Sequence, residues 1–261
     1  MTELEMVHLS SHHIIISFPH LALSAFFTTF LGCTLCLISA YIMYGRRICD
    51  TDCGAYNIWP SISAVTGVIP QRYFWRACVA FWLFPRLLLV AAYNSFFAKS
   101  TFQVSKSSQA NYSRLRRVAL CVHILEVVSF VGGNFIANKE NYPYHEKCFI
   151  VYTAASETYM LLHLLLIWKV SARNSLRAPR IQWRCLKIVI ACTTILFTAF
   201  ILHRKTCLNY AFSVFSLMEY LIALTHTIFH SSSVLDFSEE VLVLGVPVDS
   251  HKSCLMKEHK G

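Results

Sequence analysis

The chain has 261 residues, of which 56% are apolar and only 14% charged, with a mean hydropathy of +0.50. Such a composition excludes an ordinary soluble domain and defines a protein of the lipid bilayer. The net charge of +9 is read as a topology signal and, secondarily, as contact with anionic lipid of the cytosolic leaflet; nucleic acid is not an expected partner.

Six apolar runs follow one another: Leu21 to Tyr44, Ala77 to Phe97, Val118 to Ala137, Cys148 to Trp168, Ile188 to Leu202, and Leu208 to Phe229. Roughly 20 helical residues cross the hydrocarbon core, so each run predicts a span, the fifth being short unless Trp183, Leu186 and His203 extend it. The first run is uncharged and preceded by Glu3 and Glu5 without Lys or Arg, unlike a cleavable signal. The expected fold is all-α, a polytopic bundle of six transmembrane helices. Its divisions are an N-terminal segment 1–18, a transmembrane domain 19–230 with a loop at 45–76, and a tail 231–261.

Within that loop, Trp59 to Arg76 reads WPSISAVTGVIPQRYFWR. Pro60, Gly67 and Pro70 prevent one helix from running through it, which predicts a shaped loop. Arg72 and Arg76 stand among aromatic residues where a span begins, the chemistry of a lipid head-group boundary, and an anchor belt is the simpler alternative.

Arg86, Glu126, Glu157 and Glu219 fall near the middles of their runs. A charge at that depth costs roughly 2.5 to 3.5 kcal/mol on insertion scales, so these side chains should face the bundle interior and pair or protonate. Arg86 can hold an anion such as phosphate, or neutralise a Glu in a buried pair that fixes helix register. Glu219 and His226 share a helical face, and His123 and Glu126 nearly do. A small transporter built on Arg86 and the glutamates would require Glu126, Glu157 and Glu219 to point at one another.

The loops after the second and fourth spans carry Lys99, Lys106, Arg114, Arg116, Arg117, Lys169, Arg173, Arg177, Arg180, Arg184 and Lys187 with no acid. The positive-inside bias places these loops and both termini in the cytosol and the loop 45–76 in the lumen or exterior. The sequon Asn111-Tyr112-Ser113 then lies on the cytosolic side and is discounted. Among eleven cysteines, Cys49, Cys53, Cys148 and Cys207 fall on the proposed lumenal side. Their spacing does not indicate zinc, and no metal or phosphate-loop motif stands out.

Pro60-Ser61-Ile62-Ser63, Gly67, Pro70, Gln71-Arg72-Tyr73 and Trp75-Arg76 resemble the signature of the post-GPI attachment to proteins factor 2 family, within the Frag/DRAM/Sfk group of membrane proteins. The resemblance continues in Cys53-Gly54, Pro85-Arg86, Ala92-Tyr93, Glu126, His145-Glu146, Glu219-Tyr220, Phe229-His230 and Asp236-Phe237. It implies a Golgi apparatus or endoplasmic reticulum protein that remodels the lipid of glycosylphosphatidylinositol (GPI) anchors, reacylating a lyso-GPI intermediate with a saturated chain. Acyl transfer to a glycerol hydroxyl needs a base, donors for the developing oxyanion and cations for the phosphate. On this resemblance His145 and Glu146 are the expected base and partner; Arg72, Arg76, Arg86, Glu126 and Glu219 are expected substrate contacts; and Cys53 and Cys207 are a candidate disulfide. An acyl donor is implied as co-substrate and no cofactor is expected. Expected partners are lyso-GPI lipid or GPI-anchored protein, membrane lipids and other GPI-remodelling proteins. The family pattern carries an acid after the residue matching Cys207 and a His at the position of Tyr159, so Leu208 and Tyr159 are departures that leave room for an inactive paralogue. The alternative class is a non-catalytic scaffold or lipid sensor of the same group.

Overall fold

The computed structural model describes residues 13–170 and 178–245. Glu3, Glu5, Arg173, Arg177 and the tail beyond Gly245 lie outside the described residues. The elements are β1 (His13–Ser17), α1 (Phe18–Tyr44), α2 (Ile62–Gly67), α3 (Gln71–Ser100), α4 (Gln109–Phe135), α5 (Tyr142–Lys169), α6 (Pro179–Thr206), α7 (Ala211–Ser231), α8 (Ser233–Asp236) and β2 (Val241–Gly245). Six of the helices, α1 and α3 to α7, are long and apolar enough to cross a membrane, as expected of a multi-pass membrane protein. The bundle is all-α in its architecture. A short antiparallel ribbon, with His13 opposite Gly245 and Ser17 opposite Val241, brings the two ends of the described chain together at one end of the bundle. Hydropathy does not predict that ribbon, because its pairing joins segments separated by the whole bundle.

The helices outrun the apolar runs that announced them. The fifth span, the shortest in the sequence, is the 28-residue helix α6. The segment Gln71 to Arg76, expected in the loop, is the first turn and a half of α3. Pro70 explains the difference: it needs no intrahelical N–H partner, so it closes the loop and starts the helix at once. Just before it, Ser61 caps α2 by accepting from the Ala64 amide at 3.1 Å.

In the packing, α4 lies along α5, α6 along α7, and α1 along α3. The first loop is fastened to the α6–α7 turn. Cys53 and Cys207 are joined in a disulfide. The Tyr56 amide donates to Asn209 Oδ1 at 2.8 Å, the Tyr210 amide to the Tyr56 carbonyl at 2.8 Å, and the Ile58 amide to Ser213 Oγ at 2.8 Å. Cys207 ends α6 in the left-handed region (φ 51°), which turns the chain back toward α7.

At the centre, Arg86 of α3 donates through Nη2 to Glu126 of α4 (2.5 Å) and to Nε2 of His230 of α7 (2.6 Å). Arg86 is 2% exposed and Glu126 0%. Pro85 breaks the α3 hydrogen-bond ladder just before this contact.

Removing one partner of a buried ion pair costs about 3–5 kcal/mol, because the other charge is left alone in an apolar interior. Arg86→Met is therefore expected to lower the unfolding temperature of the purified protein steeply. Combining it with Glu126→Met should restore part of the loss. Thermal unfolding in one detergent checks both; equal or additive losses would mean that the pair does not join the helices.

Candidate functional site

A cavity of 350 Å³ lies between α1, α2, α3, α4, α5 and α7, walled mainly by apolar side chains including Phe30, Trp75, Trp82 and Phe149. A wider vestibule of 900 Å³, which has charged side chains among its apolar ones, opens at the loop end. Ser63, His145, Phe149 and Glu219 line both spaces, so the cavity and the vestibule meet at these residues. The long loop thus does shape a site, through Arg47, Asp50, Asp52, Ser61, Ser63 and Ala64 rather than through Arg72 and Arg76.

His145, in the second turn of α5, is half-buried and points its Nδ1 at the carbonyls of Gly133 (2.7 Å) and Ile136 (3.2 Å). Those carbonyls belong to the last turn of α4 and to the residue that caps it, and have no helical partners of their own. A carbonyl only accepts, so Nδ1 carries a proton, and the tautomer that this selects has its lone pair on Nε2. The expected pairing of His145 with Glu146 is not formed. Glu146 lies 3.5 Å from the Tyr142 hydroxyl on its own helix. Successive helical residues point about 100° apart, which rules out such a dyad geometrically.

Arg72 and Arg76 line neither space. Both grip Glu140 in the α4–α5 turn: Arg72 Nη1 donates to Oε1 at 3.0 Å, and Arg76 Nη2 donates to Oε2. Arg72 also donates from Nε and Nη2 to the Gly67 carbonyl, at 3.0 and 2.7 Å. A Cβ on Gly67 would collide with Asn138 Oδ1, so α2 and the turn approach closely here and a larger residue would displace the Asn138 side chain. The two arginines expected to hold a phosphate are occupied in a clamp. The cations that do line the vestibule are Arg47, Lys139 and Arg204, beside Asp50, Asp52 and Glu146.

Glu219 accepts from the Ile62 amide at 2.7 Å and so anchors α2 over the cavity. Glu126 instead belongs to the Arg86 cluster, and Glu157 shares no hydrogen bond with either. Glu126 and Glu219 go to different partners and Glu157 joins neither, so the three do not form the shared cluster that the transporter reading required.

The floor of the cavity is Tyr152 and His226. His226 Nε2 lies 3.1 Å from Glu126 Oε1 and 3.0 Å from His230 Nε2, and His226 Nδ1 lies 3.1 Å from the Tyr152 hydroxyl. Arginine only donates, so His230 Nε2 accepts from Arg86. His226 Nε2–H then donates to Glu126, and the Tyr152 hydroxyl donates to His226 Nδ1. Glu126, His226 and His230 have the spacing of a metal site. Arg86 Nη2, however, contacts Glu126 and His230 and supplies the positive charge there. The shared face of Glu219 and His226 could be read from the sequence, but His226 pairs across the bundle with Glu126. Tyr152 went unnoticed because a lone tyrosine in an apolar run carries no signal.

Of the two departures, Tyr159 stacks on His123 with ring centroids 3.6 Å apart beside this cluster, and Leu208 is exposed beside the disulfide.

Residues 17–240 match the Frag1/DRAM/Sfk1/Cwh43P N-terminal domain family. The chain is 32% identical to "Post-GPI attachment to proteins factor 2-like" of Drosophila melanogaster over 89% of its own length and 73% of that protein. It is 27% identical to "Acyltransferase PGAP2" of Xenopus tropicalis, over 82% and 85% of the two lengths. It is 26% identical to "Post-GPI attachment to proteins factor 2" of Caenorhabditis elegans, over 80% and 81%. No solved structure matches the chain.

The clamp gives a pH prediction. The Ala137 amide, and then Arg76 and Arg72, hold the Glu140 carboxyl below the usual glutamate range. A depressed folded-state pKa stabilises above the ordinary value of about 4.3 and is lost as pH falls through the lower folded value. The unfolding temperature of the native protein should therefore exceed that of Glu140→Gln near neutrality, and the gap should close below about pH 4. A gap that persists in acid would assign the difference to packing.

Proposed function

This chain belongs to the Frag1/DRAM/Sfk1/Cwh43P family and, within it, to the post-GPI attachment to proteins factor 2 group, and on that premise we propose that it remodels GPI-anchor lipid by reacylating a lyso-GPI intermediate. The observation that carries the reading is the junction of an apolar cavity with a charge-bearing vestibule at a histidine whose Nδ1 is engaged and whose Nε2 has no hydrogen-bond partner among the described residues. An acyl chain suits the cavity, and a phosphorylated head group suits Arg47, Lys139 and Arg204. The ester bond then lies where chain meets head, at the level of His145.

His145 Nε2 takes the proton of the acceptor glycerol hydroxyl, while the α4 carbonyls hold the ring in that tautomer. The Ser63 hydroxyl, which lines both spaces at the same junction, donates to the developing oxyanion. Glu219 acts by holding α2, and with it Ser63, in place. Arg86 and Glu126 support the cavity floor, and Arg72 and Arg76 support its rim. The expected compartment is the membrane of the Golgi apparatus or the endoplasmic reticulum, with the vestibule facing the lumen. The partners are lyso-GPI lipid or GPI-anchored protein and other proteins of anchor remodelling.

Cells deficient in this remodelling step should recover surface retention of GPI-anchored proteins, and a saturated sn-2 chain, when supplied with the native chain. A His145→Ala variant expressed at the same level should lose about 10²–10⁴-fold in transfer rate. If the sn-2 composition with the variant equals that with the native chain, His145 has no part in the reaction.

A further inference from the structure

Acyl transfer requires a donor, and two features of the cavity bear on which class it is. The first is its side opening. Phe30 of α1 and Leu224 of α7 line the cavity and are also 47% and 39% exposed on the outer surface of membrane-spanning helices. Their exposed faces therefore meet lipid chains, and the cavity communicates sideways with the bilayer between α1 and α7. A lipid enters such an opening without leaving the membrane.

The second feature is charge. Arg47, Lys139 and Arg204 in the vestibule are matched by Asp50, Asp52 and Glu146, with Glu219 beneath them. A balanced surface suits a zwitterionic head group, whose phosphate and amine find partners of opposite sign. It opposes a polyanion, because the carboxylates repel phosphates that the three cations cannot all neutralise. The nucleotide of acyl-CoA carries three phosphates and is such a polyanion. The vestibule also lies at the opposite end of the bundle from Arg114, Arg116, Arg117, Arg180 and Arg184, the cation-rich end that faces the cytosol by the positive-inside rule. Acyl-CoA in the cytosol would have no route to it.

We infer that the donor is a membrane glycerophospholipid with a zwitterionic head, entering between α1 and α7, and that the protein is a CoA-independent transacylase; this rests on the acyl-transfer reading above. The acceptor hydroxyl oxygen bonds to the acyl carbonyl carbon of the donor, and its proton passes to His145 Nε2. The donor ester C–O bond breaks, and the departing glycerol oxygen takes that proton. One ester is exchanged for another, so no activated thioester is needed.

The test uses the full chain, purified in mixed micelles with lysophosphatidylinositol as acceptor. The donor is either phosphatidylcholine with a tritiated saturated chain or palmitoyl-CoA with the same label, at equal concentration. The expected result is labelled phosphatidylinositol from phosphatidylcholine, with lysophosphatidylcholine formed one for one, and transfer from palmitoyl-CoA at least about tenfold slower. Ala223→Trp, which places a bulky ring in the cavity wall beside Leu224, should slow transfer from phosphatidylcholine by about tenfold while the unfolding temperature stays near that of the native chain. Transfer from palmitoyl-CoA as fast as from phosphatidylcholine would overturn the donor assignment and leave the acyl-transfer reading standing. Undiminished transfer by a folded Ala223→Trp protein would overturn entry between α1 and α7. Labelled product from neither donor would overturn the acyl-transfer reading and this inference together.

Discussion

A guanidinium cannot be left alone in the middle of a membrane, and the bundle is arranged around that requirement. Arg86 meets Glu126 on the next spanning helix and His230 on the last, so one cation ties α3, α4 and α7 at a single level. Its demand is directional as well as electrostatic. Each nitrogen only donates, which makes His230 an acceptor, turns His226 toward Glu126 and aligns the Tyr152 hydroxyl with the far side of the His226 ring. The network that pairs a buried charge through Arg86 Nη2 therefore also forms the polar floor of the cavity. Whether a hydrophobic replacement would be more stable is secondary; the pair imposes one register on three helices that could otherwise slide on apolar surfaces.

The opposite end meets a different constraint. A loop of this length must be tied down if it is to shape a cavity. The disulfide and the backbone bonds to Asn209, Tyr210 and Ser213 fasten it to the α6–α7 turn, while Arg72 and Arg76 fasten the start of α3 to Glu140. Between these two fastenings lies α2, held from below by Glu219. The consequence for chemistry is spatial. Charged side chains enter the lining where the cavity gives way to the vestibule, and His145 stands there because it caps α4. A structural role and a chemical one coincide in the same ring: the carbonyls that need a donor also determine which nitrogen keeps its lone pair.

The six spans, their order and the need of Arg86 for a partner were legible in the sequence, because the bilayer imposes length and apolarity on each helix separately and penalises an unpaired charge wherever it stands. The family resemblance, carried by short local motifs, was legible for the same reason. What those motifs do was not. Arg72 and Arg76 look like phosphate ligands until Glu140, sixty-four residues beyond Arg76, is found between them. His145 and Glu146 look like a dyad until the helix turns them apart. His226 is legible only as a neighbour of Glu219 on one helical face, Tyr152, Lys139 and Arg204 carry no signal of a site, and only packing makes them floor and vestibule. Local composition determines which segments enter the membrane, because each segment partitions by its own transfer free energy. Which polar groups then face one another depends on helix rotation and register across the bundle, and those are decided only when all six helices have packed.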